Sequence, residues 1–279
     1  MRYQFCLGLV FSTGLSLAAS NSNLIKAKLP LNIRGVEAIK PDQISYFSIF
    51  TGPSIGNGKD PVNEFGEIEE GGISTWNQLS FGWKINQNLR FVANPRFVIN
   101  HNASDERSNN FQLDDPVFGV AGQWFKRGNL SFGGGINSIM PFSRTSDTKE
   151  DGLLFNPGGF NSLTYQLGPA LSVGSWIWAR LLFFEGSSSS EEDRASFFVS
   201  PLVNYSFNDN LGGTIFYQLN GNADNETDIS FIQDESLSLL LSYRVSDQLR
   251  VEPMLTTFQN TGFDIENANF TMWLSGRIY

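Results

Sequence analysis

The sequence predicts an all-β fold, a transmembrane antiparallel up-and-down β-barrel of about twelve strands. Three observations carry that prediction. An aromatic residue is followed six positions later by leucine, across a polar turn, at Trp83 to Leu89, Trp124 to Leu130, Tyr205 to Leu211 and Tyr243 to Leu249. Apolar and polar residues alternate on both flanks of each turn, which is the side-chain period of a strand and makes each unit a hairpin. The far end of every hairpin is a long polar loop, so short turns and long loops segregate to opposite ends, with aromatics gathered at the short-turn end.

Taken in order, the chain opens on a segment outside the fold. Arg2 precedes an apolar stretch from Phe5 to Ala19, and Ala18-Ala19-Ser20 offers small residues for cleavage, so residues 1–20 read as a secretory signal peptide. Cys6, the only cysteine, lies inside it, which removes disulfides and thiolate chemistry from the mature chain. Residues 21–42, with Lys26, Lys28, Arg34 and Lys40, form an N-terminal segment that lies in the periplasm or enters the lumen as a plug. Residues 43–279 form the barrel. Its strands are expected at 43–55, 73–85, 89–100, 112–125, 130–142, 161–173, 176–185, 195–207, 211–220, 231–245, 249–259 and 269–279, each near the ~10 residues a tilted strand needs to cross a bilayer. Short turns join the second to third, fourth to fifth, sixth to seventh, eighth to ninth and tenth to eleventh strands. The sixth-to-seventh turn is placed at Gly174-Ser175, before Trp176.

Faces can be read along several strands. Leu79, Phe81, Trp83 and Ile85 oppose Gln78, Ser80, Gly82 and Lys84; Leu237, Leu239, Leu241, Tyr243 and Val245 oppose Ser236, Ser238, Ser242 and Arg244. Lipid outside and water inside is the arrangement that fits. The seventh strand, apolar on both faces, predicts contact with a plug or a narrow lumen. Prolines 95, 141, 169, 201 and 253 fall inside expected strands and call for local bulges. A β-propeller would need four strands per repeat of about 40 residues rather than two. A soluble sandwich would not need aromatics at one end of each hairpin.

These hairpins, and the C-terminus Phe270-Thr271-Met272-Trp273-Leu274-Ser275-Gly276-Arg277-Ile278-Tyr279, resemble the bacterial outer-membrane β-barrel class. The resemblance implies a Gram-negative outer membrane, contact with its lipid and lipopolysaccharide, and insertion by the barrel-assembly machinery, which reads an aromatic at the end of the last strand. Here the apolar alternation runs through Phe270, Met272, Leu274, Gly276 and Ile278, one position out of phase with Tyr279. Trp83, Trp124, Trp176, Tyr205 and Tyr243 are assigned to the aromatic belt at the membrane interface.

The net charge of −9 is concentrated in the long loops, at Glu67, Glu69 and Glu70, at Asp114 and Asp115, and at Glu191, Glu192 and Asp193 among others. That excludes nucleic acid as a partner. These clusters lack EF-hand spacing and read as solvated tips, and no metal or other cofactor is expected. The Gly133-Gly134-Gly135 run precedes no helix, so it is not a phosphate cradle. Barrel hydrolases of the outer membrane pair His and Ser two residues apart, whereas the only histidine, His101, has Ser104 three residues on, which places the two on opposite faces. No enzyme activity is expected. Lys84, Arg90, Arg96, Arg244, Arg250 and Arg277, with Glu252 among them, fall on inward positions, and inward rings of Arg and Lys favour anions. The expected function is a channel for passive diffusion of small polar or anionic solutes. The alternative is a closed structural or surface-interaction barrel, favoured if large side chains fill the lumen. The loop Ser143 to Phe160 is a candidate constriction.

Overall fold

The computed structural model describes residues 40–56, 61, 73–101, 111–140, 153–184, 195–223, 229–231 and 235–279. The signal peptide, most of the 21–42 segment, Pro141, Ser104, the loop from 143 to 152 and the acidic clusters at 67–70 and 191–193 lie outside them.

The strands are β1 (Gln43–Ser54), β2 (Ser74–Lys84), β3 (Leu89–Asn100), β4 (Phe111–Arg127), β5 (Leu130–Ile139), β6 (Leu153–Gln166), β7 (Leu171–Leu181), β8 (Phe183–Phe184), β9 (Ala195–Ser206), β10 (Leu211–Ala223), β11 (Ile229–Phe231), β12 (Ser236–Ser246), β13 (Leu249–Phe258) and β14 (Asn269–Arg277). All pairings are antiparallel. β8 and β11 are short extensions attached to β6 and β10. The other twelve close into a barrel, each paired with its neighbour in the chain, while β9 pairs with β10 and β14 returns to β1 with Ser45 opposite Arg277 and Ile49 opposite Trp273. Two 3-10 turns, Gln259–Thr261 and Ile265–Asn267, shape the last long connection.

The short turns explain the six-residue spacing. In the β2–β3 turn, the Ile85 and Asn86 amides both donate to the Leu89 carbonyl, and in the β9–β10 turn Phe207 and Asn208 donate to Leu211 in the same way. Asn86 and Asn208 then turn their side-chain oxygens onto the amides two and three residues ahead, at 2.8 to 2.9 Å, an Asx turn that frees the chain from strand geometry. The β6–β7 turn has the same backbone pattern, Leu167 and Gly168 donating to Leu171. It therefore sits at residues 167–170 and not at Gly174-Ser175, which is a correction. Tyr165 to Leu171 is a fifth copy of the aromatic-to-leucine spacing, hidden because Gly168-Pro169-Ala170 lacks the amide and acid side chains of the others.

The prolines behave in two ways. Pro169 lies in that turn. At Pro95, Pro201 and Pro253 one ladder drops two successive residue pairs while register is kept: Gln78↔Arg96 is followed by Phe81↔Ala93, Phe216↔Leu202 by Leu219↔Val199, and Leu240↔Met254 by Tyr243↔Val251. The missing N–H is absorbed by a gap. Only at Pro95 is there also a bulge, in the β3–β4 ladder between Asn94 and Arg96.

The outer face is apolar, with Leu163, Tyr165, Leu171, Ile215, Leu239, Leu241 and Tyr243 all exposed. Polar groups interrupt it in places. Asn77 accepts from Tyr46 Oη at 2.5 Å and Ser48 Oγ at 3.1 Å and donates to the Thr75 carbonyl at 2.8 Å, so its amide, buried on the outer side of the wall, is hydrogen-bonded within it. Trp124 crosses the outer face of β5, donating its indole N–H to Asn161 Oδ1 on β6 at 2.8 Å. Glycines in this part of the wall leave no room for a side chain. A Cβ on Gly134, at φ +149°, would stand 2.1 Å from the Phe160 carbonyl, and one on Gly122 would stand 1.8 Å from the Asn88 carbonyl.

Gly134→Val is therefore expected to destabilise the barrel by about 1–3 kcal/mol, read as a lower temperature at which the compact band in detergent gels is lost on heating. Gly168→Ala, which meets nothing within 4 Å, is expected to leave that temperature unchanged.

Candidate functional site

Strand register fixes which side chains enter the lumen. At the short-turn mouth, Lys84 stands directly opposite Arg90 across β2 and β3, and Arg244 opposite Arg250 across β12 and β13. Arg277 closes β14 opposite Ser45. Like charges directly opposed on one face of a sheet are unfavourable, and this mouth carries two such pairs. Arg250 approaches Glu252 at 3.8 Å, and Glu252 is buried. A recess of about 350 Å³ opens here, walled by Asn204, Thr214, Ser242, Arg244 and Arg250. Thr214 donates to Asn204 Oδ1 at 2.7 Å, and Asn204 to Ser172 at 3.3 Å.

The recess ends on an apolar floor. Phe47, Leu202, Phe216, Leu240, Met254 and Trp273 all project inward from six different strands, yet each is only 3–5% exposed. Trp76 and Trp176 pack against them, and Trp176 joins this cluster to a second, Phe160, Trp178 and Phe198. Ring contacts tie the layer together, Trp176 to Phe216 at 4.8 Å and Trp178 stacked on Phe198 at 5.5 Å. Side chains lining a water-filled bore at this level would be wet. These are not, so the waist of the lumen is packed, and the seventh strand, apolar on both faces, meets a narrow lumen there.

Beyond the waist the lumen is polar again. Arg96, 5% exposed, donates to Asp114 Oδ1 at 3.1 Å and to the Asp115 carbonyl, and its guanidinium lies 5.8 Å from the centre of the Trp76 ring. Trp76 donates its indole N–H to the other oxygen of Asp114 at 3.1 Å. Asp114 and Asp115, grouped by sequence with the acidic loops, belong instead to the barrel wall. Arg180 on β7 makes a parallel arrangement, bonded to Asn156 and to Asn137 Oδ1 at 2.9 Å and lying 5.6 Å over the Trp178 ring.

Of the inward residues expected from sequence, Arg244, Arg250 and Glu252 come together in the recess, and Lys84, Arg90 and Arg277 lie on the same mouth. Arg96 does not join them, being on the far side of the waist. Trp83 rests on the outer face against Phe91 at 5.8 Å, and Tyr205 and Tyr243 are exposed outward near the short turns. Trp176 was assigned to that belt, and the structure corrects it: with the turn at 167–170, period two sends Trp176, Trp178 and Arg180 into the lumen and Ile177 and Leu181 outward. The same misplacement of the turn, with both faces of the expected strand apolar, hid Arg180. His101 contacts Thr75 Oγ1 at 2.5 Å and the Phe50 ring at 6.1 Å.

No protein-family model matches the chain, and no curated sequence does. Among solved structures, an outer membrane channel from Pseudomonas putida F1 aligns over 84% of this chain and 94% of its own at 11% identity, with a TM-score of 0.52. The fold is that of a bacterial outer-membrane β-barrel. NanC porin aligns with 9% identity over 83% of this chain and 97% of its own, TM-score 0.48, and KdgM porin with 10% over 85% and 99%, TM-score 0.46. The barrel has the closed hydrogen-bonded wall and apolar outer face that a lipid-spanning structure demands.

Arg96 and Asp114 should behave as a unit. Arg96→Met leaves a carboxylate without its cation and is expected to cost about 3–5 kcal/mol, and Arg96→Met with Asp114→Asn to cost clearly less. Unfolding midpoints of the wild type and the two variants in detergent check this.

Proposed function

We propose that the protein is an outer-membrane channel through which small polar or anionic solutes diffuse passively, and that it is not an enzyme. The observation that carries this reading is the pair of opposed cations at the mouth, Lys84 with Arg90 and Arg244 with Arg250. A barrel built only for stability gains nothing from facing cations in register. A positive mouth attracts anions and excludes cations. Arg250 meets Glu252 at this mouth, while Arg244 lines the open recess.

The packed waist favours a second reading, a closed barrel acting through its surface. The two separate in planar bilayers. Under a salt gradient the channel reading predicts conductance with anion preference, reduced at least about threefold in Arg244→Gln/Arg250→Gln. A barrel that never conducts, or a cation preference untouched by the double substitution, overturns the channel and leaves the closed barrel.

A further inference from the structure

Two buried donors on one wall of the waist lack acceptors. Trp178 on β7 and Ser200 on β9 enter the lumen on neighbouring strands, Ser200 opposite Trp176 and Trp178 opposite Phe198, at 4% and 0% exposure, and neither Trp178 Nε1 nor Ser200 Oγ has a hydrogen-bond partner among the described residues. Leaving such donors buried and unpaired is costly. The packed waist therefore carries a penalty on the β7–β9 side.

The anchorage of Trp76 differs. Trp76 on β2, five strands away round the wall, gives its N–H to Asp114, and Arg96 clamps the same carboxylate while covering the ring. Trp178 is held only through its ring faces, stacked on Phe198 at 13° between planes and beneath Arg180. One tryptophan is anchored through its polar atom and the other is not.

We propose that the waist is a gate with a fixed wall and a moving wall: Trp76, Asp114 and Arg96 form the fixed one, and the β7–β9 face bearing Trp178 and Ser200 moves. Opening lets water or a solute oxygen reach the two donors, so they favour the open state, while the aromatic and aliphatic packing favours the closed one. An apolar constriction of this kind conducts only when wetted. Trp178 and Ser200 are then the donors that a solute meets at the narrowest level. This rests on the channel reading.

The test combines single-channel recording with thermal unfolding of the full chain in detergent. Ser200→Ala removes one orphaned hydroxyl with almost no change of volume, and Trp178→Phe removes the N–H while keeping the stack. Each is expected to lower open probability at least about fivefold, and Ser200→Ala to raise the unfolding midpoint by about 2 °C or more. Trp76→Phe, which loses the bond to Asp114, is expected to do the opposite on both readouts. If the wild type conducts and both β7–β9 variants open as often as it does, or if Ser200→Ala lowers the midpoint, the gate is overturned and the channel stands. A wild type that never conducts overturns the channel reading itself.

Discussion

In hydrocarbon a backbone N–H or C=O has no water to turn to, and each one left unpaired costs several kcal/mol. Closure of the hydrogen-bonded wall is the constraint on which everything else in this molecule rests. The ladders run without an edge from β1 round to β14 and back, and every irregularity is arranged so that closure survives. Pro201 and Pro253 each erase two pairs from one ladder without shifting it. Asn77 faces outward only because Tyr46, Ser48 and the Thr75 carbonyl satisfy its amide.

Closure also creates an interior whose contents are free to differ from level to level. A twelve-strand wall is wide enough to hold water but narrow enough for large side chains to fill. Here both happen. Cations and amides occupy the short-turn mouth, aromatic rings fill the waist, and arginines bonded to asparagine and aspartate occupy the level beyond. The mouth and the far side use arginine differently. Arg96 and Arg180 are spent on protein partners and on covering Trp76 and Trp178, whereas Arg244 faces a recess.

Much of this was legible in the chain. The outward stripe of β12, Leu237 to Val245, announces itself because lipid demands apolar residues at every second position, and the short turns announce themselves through asparagine and glycine. What escaped has a physical reason. Gly168-Pro169-Ala170 makes the same turn as Asn208-Asp209-Asn210 with backbone hydrogen bonds alone, so the side-chain signal is missing, and a turn misplaced by a few residues hid the faces of the following strand. Trp176, Trp178 and Arg180 were lost together for that reason. The packed waist was hidden differently. Inward Leu202, Phe216 and Met254 each sit alone among polar inward neighbours on their own strand, and only the register gathers them at one height.

The pairing of Ile44 with Tyr279 and Ile49 with Trp273 places the two ends of the chain in one seam. Any shorter piece of the wall has two unsatisfied edges, so the sheet is not competent for lipid until its final strand has found its first. Closure of the wall is thereby located at β1 and β14. The packing of Trp273 against Phe47 across that seam makes the same event complete one side of the waist. The barrel closes its wall and part of its bore in one step.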